Sequence, residues 1–434
     1  MSLKTFTFPY GRGTESIALP EEHILSVLRG PSVPATDVEA ETLRAMREPI
    51  ASPPLRDIVH PGETVLLVCA DCTRAWNHSA QFLIHVVNEL NRAGIPDEDI
   101  SVLFANGTHR AQTREEDIQV VGEEAARRIR LYQHDSRDKS QLVSLGTTKR
   151  GTPVLINRRV TEADRVILIG GITIHPFAGF GGGRKMIFPG VAGWESIQHN
   201  HAFALADTAG GGINPLAASA HLHQNPVSDD LIEGCAMAHP DFLIHSILNE
   251  KGEICAIVGG DWYQAWLAGT EIVRKVQRAP MKGRADVVFA GAGGYPKDIS
   301  LYQGLKCYTP ADQAGKPGSI LIGLIESPDI AEPAAFINSF RFSSQEEMEK
   351  EVRKEFSMPF FVAYHLYCLC RRHKIIVVTR KENFPIMRRT GQIPAATLEE
   401  AWSLAQDMLR QERKTDYTIN IIPHSAAIIP TLEK

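Results

Sequence analysis

Apolar and polar positions along the chain repeat one layout, a short buried strand followed by a loop and an amphipathic helix. Residues 64–69 read as a buried strand whose apolar run, 65–69, is of the kind a strand covered on both faces shows, and residues 81–93 carry apolar positions at helical spacing before Gly94. Residues 100–105 repeat the strand, with a helix beginning near Thr113, and residues 165–169 repeat it again before a helix from Trp194. Residues 241–248 and 253–259 read as paired strands and 262–277 as a closing helix. A second series starts at 285–290, with strands at 319–325 and 374–379 and a helix at 398–411. The N-terminal stretch predicts a strand over 4–8 and a helix over 37–46. The alternation implies an α/β fold of two α/β domains, 1–278 and 279–434, with the last strand, after Asp416, free to return to the first domain.

Parallel α/β sheets place their chemistry at the carboxyl ends of the strands, so the loops there matter most. Three consecutive strand ends deliver Asp71 and Arg74, then His109, then His175 and Lys185, which points to one shared crevice. An arginine offers a planar fork of donors to a carboxylate or phosphate, and a neighbouring aspartate can orient it. A histidine on such a loop has an ordinary pKa suited to proton transfer near neutrality. The loop of His175 continues through Gly181-Gly182-Gly183-Arg184-Lys185, and such a glycine run can turn its N–H groups toward an anion. It is not a P-loop, because Met186 stands where a Ser or Thr would follow the lysine. In the second domain, Tyr302, Gln303 and Lys306 share the start of a helix, with Gln303 and Lys306 on one face, where they can hold a carboxylate.

Composition narrows the partners. The 434 residues are 43% hydrophobic and 22% charged with a net charge of −5, an ordinary globular balance that argues against wholesale binding to nucleic acid or anionic membranes. Seven cysteines, an odd number, fit a reducing compartment, and the pair Cys69 and Cys72 reads as buried thiols. The N-terminus lacks the apolar core of a signal peptide and no run is long enough to span a bilayer, so the expected location is the cytoplasm. On the helix from Trp194, His199 and His201 point about 200° apart and cannot easily share one metal.

These stretches together, Asp-x-Thr-Arg at 71–74, Gly-Thr-His-Arg at 107–110, His-Pro followed by Gly-Gly-Gly-Arg-Lys at 175–185, the later histidine, and Tyr-Pro-Lys-Asp with Tyr-Gln-x-x-Lys at 295–306, resemble the lactate racemase family. The resemblance implies a racemase or epimerase of 2-hydroxy acids, with a cofactor and substrate crevice between the two domains. It also implies a nickel-pincer nucleotide (pyridinium-3-thioamide-5-thiocarboxylic acid mononucleotide) as cofactor, made by separate cofactor-synthesis proteins. By resemblance, Lys185 would hold the nucleotide through a thioamide and His201 would be the protein's ligand to Ni. Asp71, Arg74, Thr108, Gly181, Gly182, Gly183 and Arg184 would line the cofactor, His109 and His175 would be the paired acid/base groups, and Arg74, Tyr302, Gln303 and Lys306 would bind the substrate. Removing the C2 hydrogen as hydride while a histidine takes the hydroxyl proton avoids a dianionic enolate, and return of hydride to the other face inverts the centre.

Two other readings compete. A zinc-dependent hydrolase would use His199, His201, His221 and His223, and a non-catalytic nucleotide-cofactor carrier would keep the cradle but lack one acid/base histidine. Which 2-hydroxy acid is taken stays open, since the aromatic cluster Phe360, Phe361 and Tyr364 can line a pocket or fill a core.

Overall fold

The computed structural model describes residues 2–342, 344–425 and 428–433. The chain forms two compact units, one of Ser32–Leu205 with Asn214–Val276 and one of Met1–Pro31, Ala206–Ile213 and Gln277–Lys434. The first is called the inner unit and the second the outer unit, after their order in the sequence only.

The inner unit is built on a six-stranded sheet in the order Ile254–Gly260, Phe242–Leu248, Arg165–Gly171, Val65–Ala70, Ile100–Ala105, Arg130–Gln133. All neighbours run parallel except the edge strand Ile254–Gly260, which is antiparallel to Phe242–Leu248. Every residue of Val65–Ala70 is buried, which is why its sequence is continuously apolar and does not alternate. Helices start where the side chains can cap them. Asp37 accepts the N–H of Ala40 ahead of Val38–Arg47, and Thr113 with Glu116 closes a capping box on Arg114–Val121.

The outer unit has an all-parallel six-stranded sheet in the order Ile393–Ala395, Lys374–Val378, Gly315–Leu324, Ala285–Gly291, Ile419–Ile422, Ile24–Val27. Leu3–Tyr10 and Gly13–Pro20 pair as an antiparallel hairpin, and its Phe6, Phe8, Ile17 and Leu19 join the core that contains Phe289 and Trp402. Residues 1–31 therefore belong with the C-terminal residues and not with 32–205 and 214–276, where the sequence placed them. The strand after Asp416, Ile419–Ile422, lies between Ala285–Gly291 and Ile24–Val27, and Ile429–Leu432 pairs with Arg278–Met281, so the chain end does not return to the inner unit. The short strand Ile24–Val27, only partly buried, carries too little apolar signal to announce this from sequence.

Residues 206–213 are clasped within the outer unit by the helix Gln345–Lys354. The Glu349 carboxylate accepts the N–H groups of Gly210 at 2.8 Å and Gly212 at 3.1 Å, and Arg353 donates to the carbonyls of Ala206 and Thr208. Tyr364 donates to the same carboxylate at 2.6 Å and Phe361 is buried, so both aromatics are core. All seven cysteines are free, and no described helix is long and apolar enough to cross a membrane.

Candidate functional site

The inner unit brings its strand-end residues into two hydrogen-bonded groups. At the end of Val65–Ala70, the buried Asp71 carboxylate meets His109 Nδ1 at 2.6 Å and accepts from Thr73 Oγ1 at 2.7 Å. A carboxylate at Nδ1 fixes the proton there and leaves the Nε2 lone pair of the exposed His109 ring as a base. The expected pairing of Asp71 with Arg74 is not formed. Arg74 donates to Thr73 Oγ1 at 2.9 Å, while the aspartate serves the histidine. Thr108 lies on the exposed turn ahead of His109, and the Gly107 N–H donates to Gly190 O at 2.8 Å, tying this turn to the glycine-rich loop.

The second group is on that loop. His175 Nδ1 accepts the Ala178 N–H at 3.1 Å, so the neutral ring carries its proton on Nε2, which faces Lys185 Nζ at 3.2 Å. Burial, then the charges of Lys185, His201 and Arg74, hold His175 well below its ordinary pKa. Burial, then Arg184 and Arg74, hold the Lys185 amine well below the usual lysine range, which favours its uncharged form. Phe177 is the common wall. Its ring meets His175 edge-on with centroids 4.6 Å apart and His201 at 5.3 Å, and Lys185 Nζ stands 5.9 Å from its centre. Burial, followed by Lys185, pushes His201 down to about 3, so its imidazole is neutral and suited to bind a metal through nitrogen.

The glycine run works differently from the anion nest its sequence suggests. The N–H of Gly181 donates to Thr173 O at 2.7 Å and that of Gly183 to His245 Nε2 at 2.9 Å, so neither is offered to a ligand. Close packing explains the glycines. Gly182 and Gly183 have φ of +70° and +55°, and an added Cβ would lie 2.5 Å from Gly171 O at the first and 2.5 Å from the Trp266 ring at the second. Arg184 is likewise turned inward. Its guanidinium is fully buried, donates to Phe180 O, Ala178 O and Ser228 Oγ, and stacks 3.9 Å over Trp266, so it braces the loop and does not face an anion.

His199 and His201 do diverge: His199 Nδ1 pairs with Thr152 Oγ1 at 2.9 Å, away from Phe177. Among the described residues no group of three or more His, Cys, Asp or Glu side chains can hold a metal ion, so His199, His201, His221 and His223 do not assemble the ligand set a zinc hydrolase needs. In the outer unit, Ser300 caps a single turn, Leu301–Gly304, and Lys306 Nζ donates to Gln303 Oε1 at 2.7 Å, the shared face expected for them. Tyr302 packs edge-on against Phe336.

Sequence reasoning missed His245. It sits inside the apolar strand Phe242–Leu248, where a lone histidine reads as core, yet its ring anchors the loop that carries Lys185. It also missed Asp230, fully buried on Pro226–Ala236, which collects hydrogen bonds from Thr148, Thr152 and Asn200 beside His201.

Comparison with known proteins adds the following. The family model for the lactate racemase N-terminal domain matches residues 10–211, and that for the lactate racemase C-terminal domain matches residues 281–430. The chain is 29% identical to the lactate racemase of Thermoanaerobacterium thermosaccharolyticum over 431 residues, 97% of this chain and 98% of that one. It is also 29% identical over 285 residues, 65% of each chain, to the lactate racemase of Lactiplantibacillus plantarum. The structure of the T. thermosaccharolyticum lactate racemase apoprotein superposes with a TM-score of 0.87 at 28% identity, covering 99% of this chain and all of that one. A Thermotoga maritima protein, at 16% identity and a TM-score of 0.63 over 92% of this chain and all of its own, shares the fold.

Proposed function

Because the chain belongs to the lactate racemase family, we propose that it is a racemase or epimerase that inverts C2 of a 2-hydroxy acid, using a nickel-pincer nucleotide and the histidines His109 and His175. The observation that carries this reading is the contact of Lys185 with His175 at 3.2 Å, both held below their ordinary pKa by burial, in the unit that also buries His201.

The residues present fit such a group. The downward shift of the Lys185 amine favours the uncharged, nucleophilic form that a covalent link to a thioacid requires. His201 presents a neutral imidazole, a ligand that suits nickel. When bound, the nucleotide would supply an acceptor for hydride, so C2 need not be deprotonated beside a carboxylate. His109 then acts as base through Nε2, with Asp71 stabilising the imidazolium that forms. His175 carries its proton on Nε2 and returns it to the oxygen when the second configuration is made; the two exchange roles in the reverse direction. By the same reading Arg74, Tyr302, Gln303 and Lys306 bind the substrate, the partners are a 2-hydroxy acid and the cofactor-synthesis proteins, and seven free cysteines fit the cytoplasm.

The test is co-production with the cofactor-synthesis proteins, then intact-protein mass, nickel content and chiral analysis of 2-hydroxy acids. A mass increment lost in Lys185→Ala, about one nickel per chain and inversion at C2 are expected. Full loading without inversion of any 2-hydroxy acid would favour the carrier reading.

A further inference from the structure

Lys297 Nζ and His424 Nδ1 of the outer unit converge on one glycine. A Cβ added to Gly293, at φ +106°, would stand 3.1 Å from Lys297 Cδ, 3.7 Å from Lys297 Nζ and 3.8 Å from His424 Nδ1, so the Lys297 side chain lies across the glycine and brings its amine toward the imidazole. Topology brings Arg29 to the same edge. Ala285–Gly291, Ile419–Ile422 and Ile24–Val27 are parallel neighbours, and the segments leaving their carboxyl ends carry Lys297, His424 and Arg29. Burial, then the charges of Lys297 and Arg29, hold the His424 ring below its ordinary pKa.

Several carboxylates of this unit are committed elsewhere. Asp298, next in sequence to Lys297, is turned inward, where its Oδ2 accepts the Gly11 N–H at 2.7 Å. Glu326 pairs with Arg380, Glu349 with Arg353, and Asp286 with Lys316 and Lys414. Among the described residues no carboxylate lies within ion-pair distance of Lys297, His424 or Arg29. Two cations, Lys297 and Arg29, beside a neutral imidazole that an anion would help to protonate, at the ligand-binding edge of a parallel sheet, make a site for an anion.

The geometry points to Lys297, His424 and Arg29 as an oxyanion subsite that takes a second anionic group of the ligand, a carboxylate or a phosphate. Its Lys297 lies on the segment that also leads to Tyr302, Gln303 and Lys306. On the racemase reading, which this inference rests on only for the identity of the ligand, the substrate is a 2-hydroxy acid bearing a further negative charge, such as a 2-hydroxydicarboxylate. The phosphate source is the nucleotide or a phosphorylated acid.

The test follows the His424 ring by NMR in the full chain labelled at histidine Cε1, with the signal assigned by His424→Gln. Malate, lactate and inorganic phosphate are titrated separately into wild type and Lys297→Ala. Malate is expected to move the signal saturably and to raise the ring pKa, at least tenfold more weakly in Lys297→Ala, while lactate leaves it in place. Saturation by inorganic phosphate and not malate, with the same loss in Lys297→Ala, assigns the subsite to a phosphate. No response to either dianion, an equal response to lactate, or equal affinities in wild type and Lys297→Ala overturns the subsite. This readout needs no turnover, so failure of the racemase reading would appear separately, as a nickel-loaded chain that inverts nothing.

Discussion

His245 Nε2 accepts the backbone N–H of Gly183 at 2.9 Å, and its Nδ1 donates to Ile244 O at 2.8 Å. One buried ring therefore fixes the turn Gly183–Met186, which carries Lys185. His245→Leu leaves the Gly183 N–H without its acceptor at a cost of about 1–3 kcal/mol, and should lower both Tm and cofactor loading. His245→Gln, which keeps an acceptor, should recover part of the loading. Equal loading in the leucine variant and wild type would remove His245 from this role.

The same residue sets a pH dependence. Burial pushes His245 down to about 4 and His201 to about 3, against about 6.5 for an unfolded histidine. A depressed histidine pKa means the unfolded chain binds protons the folded one refuses. Their contribution to stability is complete above pH 6.5 and is lost as pH falls through the interval down to each folded pKa. Urea unfolding between pH 7 and 4 should show stability falling with acid, less steeply in His245→Gln.

Asp71→Asn keeps the shape of the carboxylate but removes its charge and its hold on the His109 tautomer. Turnover should fall by about 10²–10⁴, the contribution of a positioned general base, with KM little changed. Steady-state kinetics in both directions on the loaded enzyme measures it. A loss confined to KM would assign Asp71 to binding.

The Lys185 amine should react with trinitrobenzenesulfonate at pH 7 faster than the surface lysines, as read by peptide mapping on the chain without cofactor. Arg74 is one of the cations that depress it, so Arg74→Ala should raise the Lys185 pKa, move its reactivity to higher pH and slow labelling at pH 7.

Arg184 tests the correction to the anion nest. Its planar fork holds Phe180 O, Ala178 O and Ser228 Oγ together, a geometry lysine cannot reproduce. Arg184→Lys should destabilise the chain by on the order of 3 kcal/mol, seen as a lower Tm before any cofactor is added.

The strands and the three strand-end residue sets were legible because a buried parallel strand must be continuously apolar and its ligands must follow its carboxyl end. Gln303 and Lys306 were legible for a similar reason, since i,i+3 spacing already places them together. What stayed hidden depended on partners distant in sequence. Asp71 is 38 residues from the histidine it serves, and Gly183 is 62 from His245. The glycine run misled because a tripeptide packed against Trp266 and one wrapped around a phosphate have the same composition. Arg184 misled because charge alone does not tell which way a guanidinium turns.

The strand Ile24–Val27 closes an edge of the outer sheet beside Ile419–Ile422, nearly four hundred residues later in the chain. During synthesis residues 24–27 thus leave the ribosome long before residues 419–422, with which they must pair to complete the sheet. Most of the inner unit, Ser32–Leu205 with Asn214–Val276, is translated within that interval and can assemble its own sheet first. Truncation near residue 276 would leave the inner sheet with all six of its strands, whereas loss of the final sixteen residues, 419–434, would remove the strand that joins the N-terminal segment to the outer sheet.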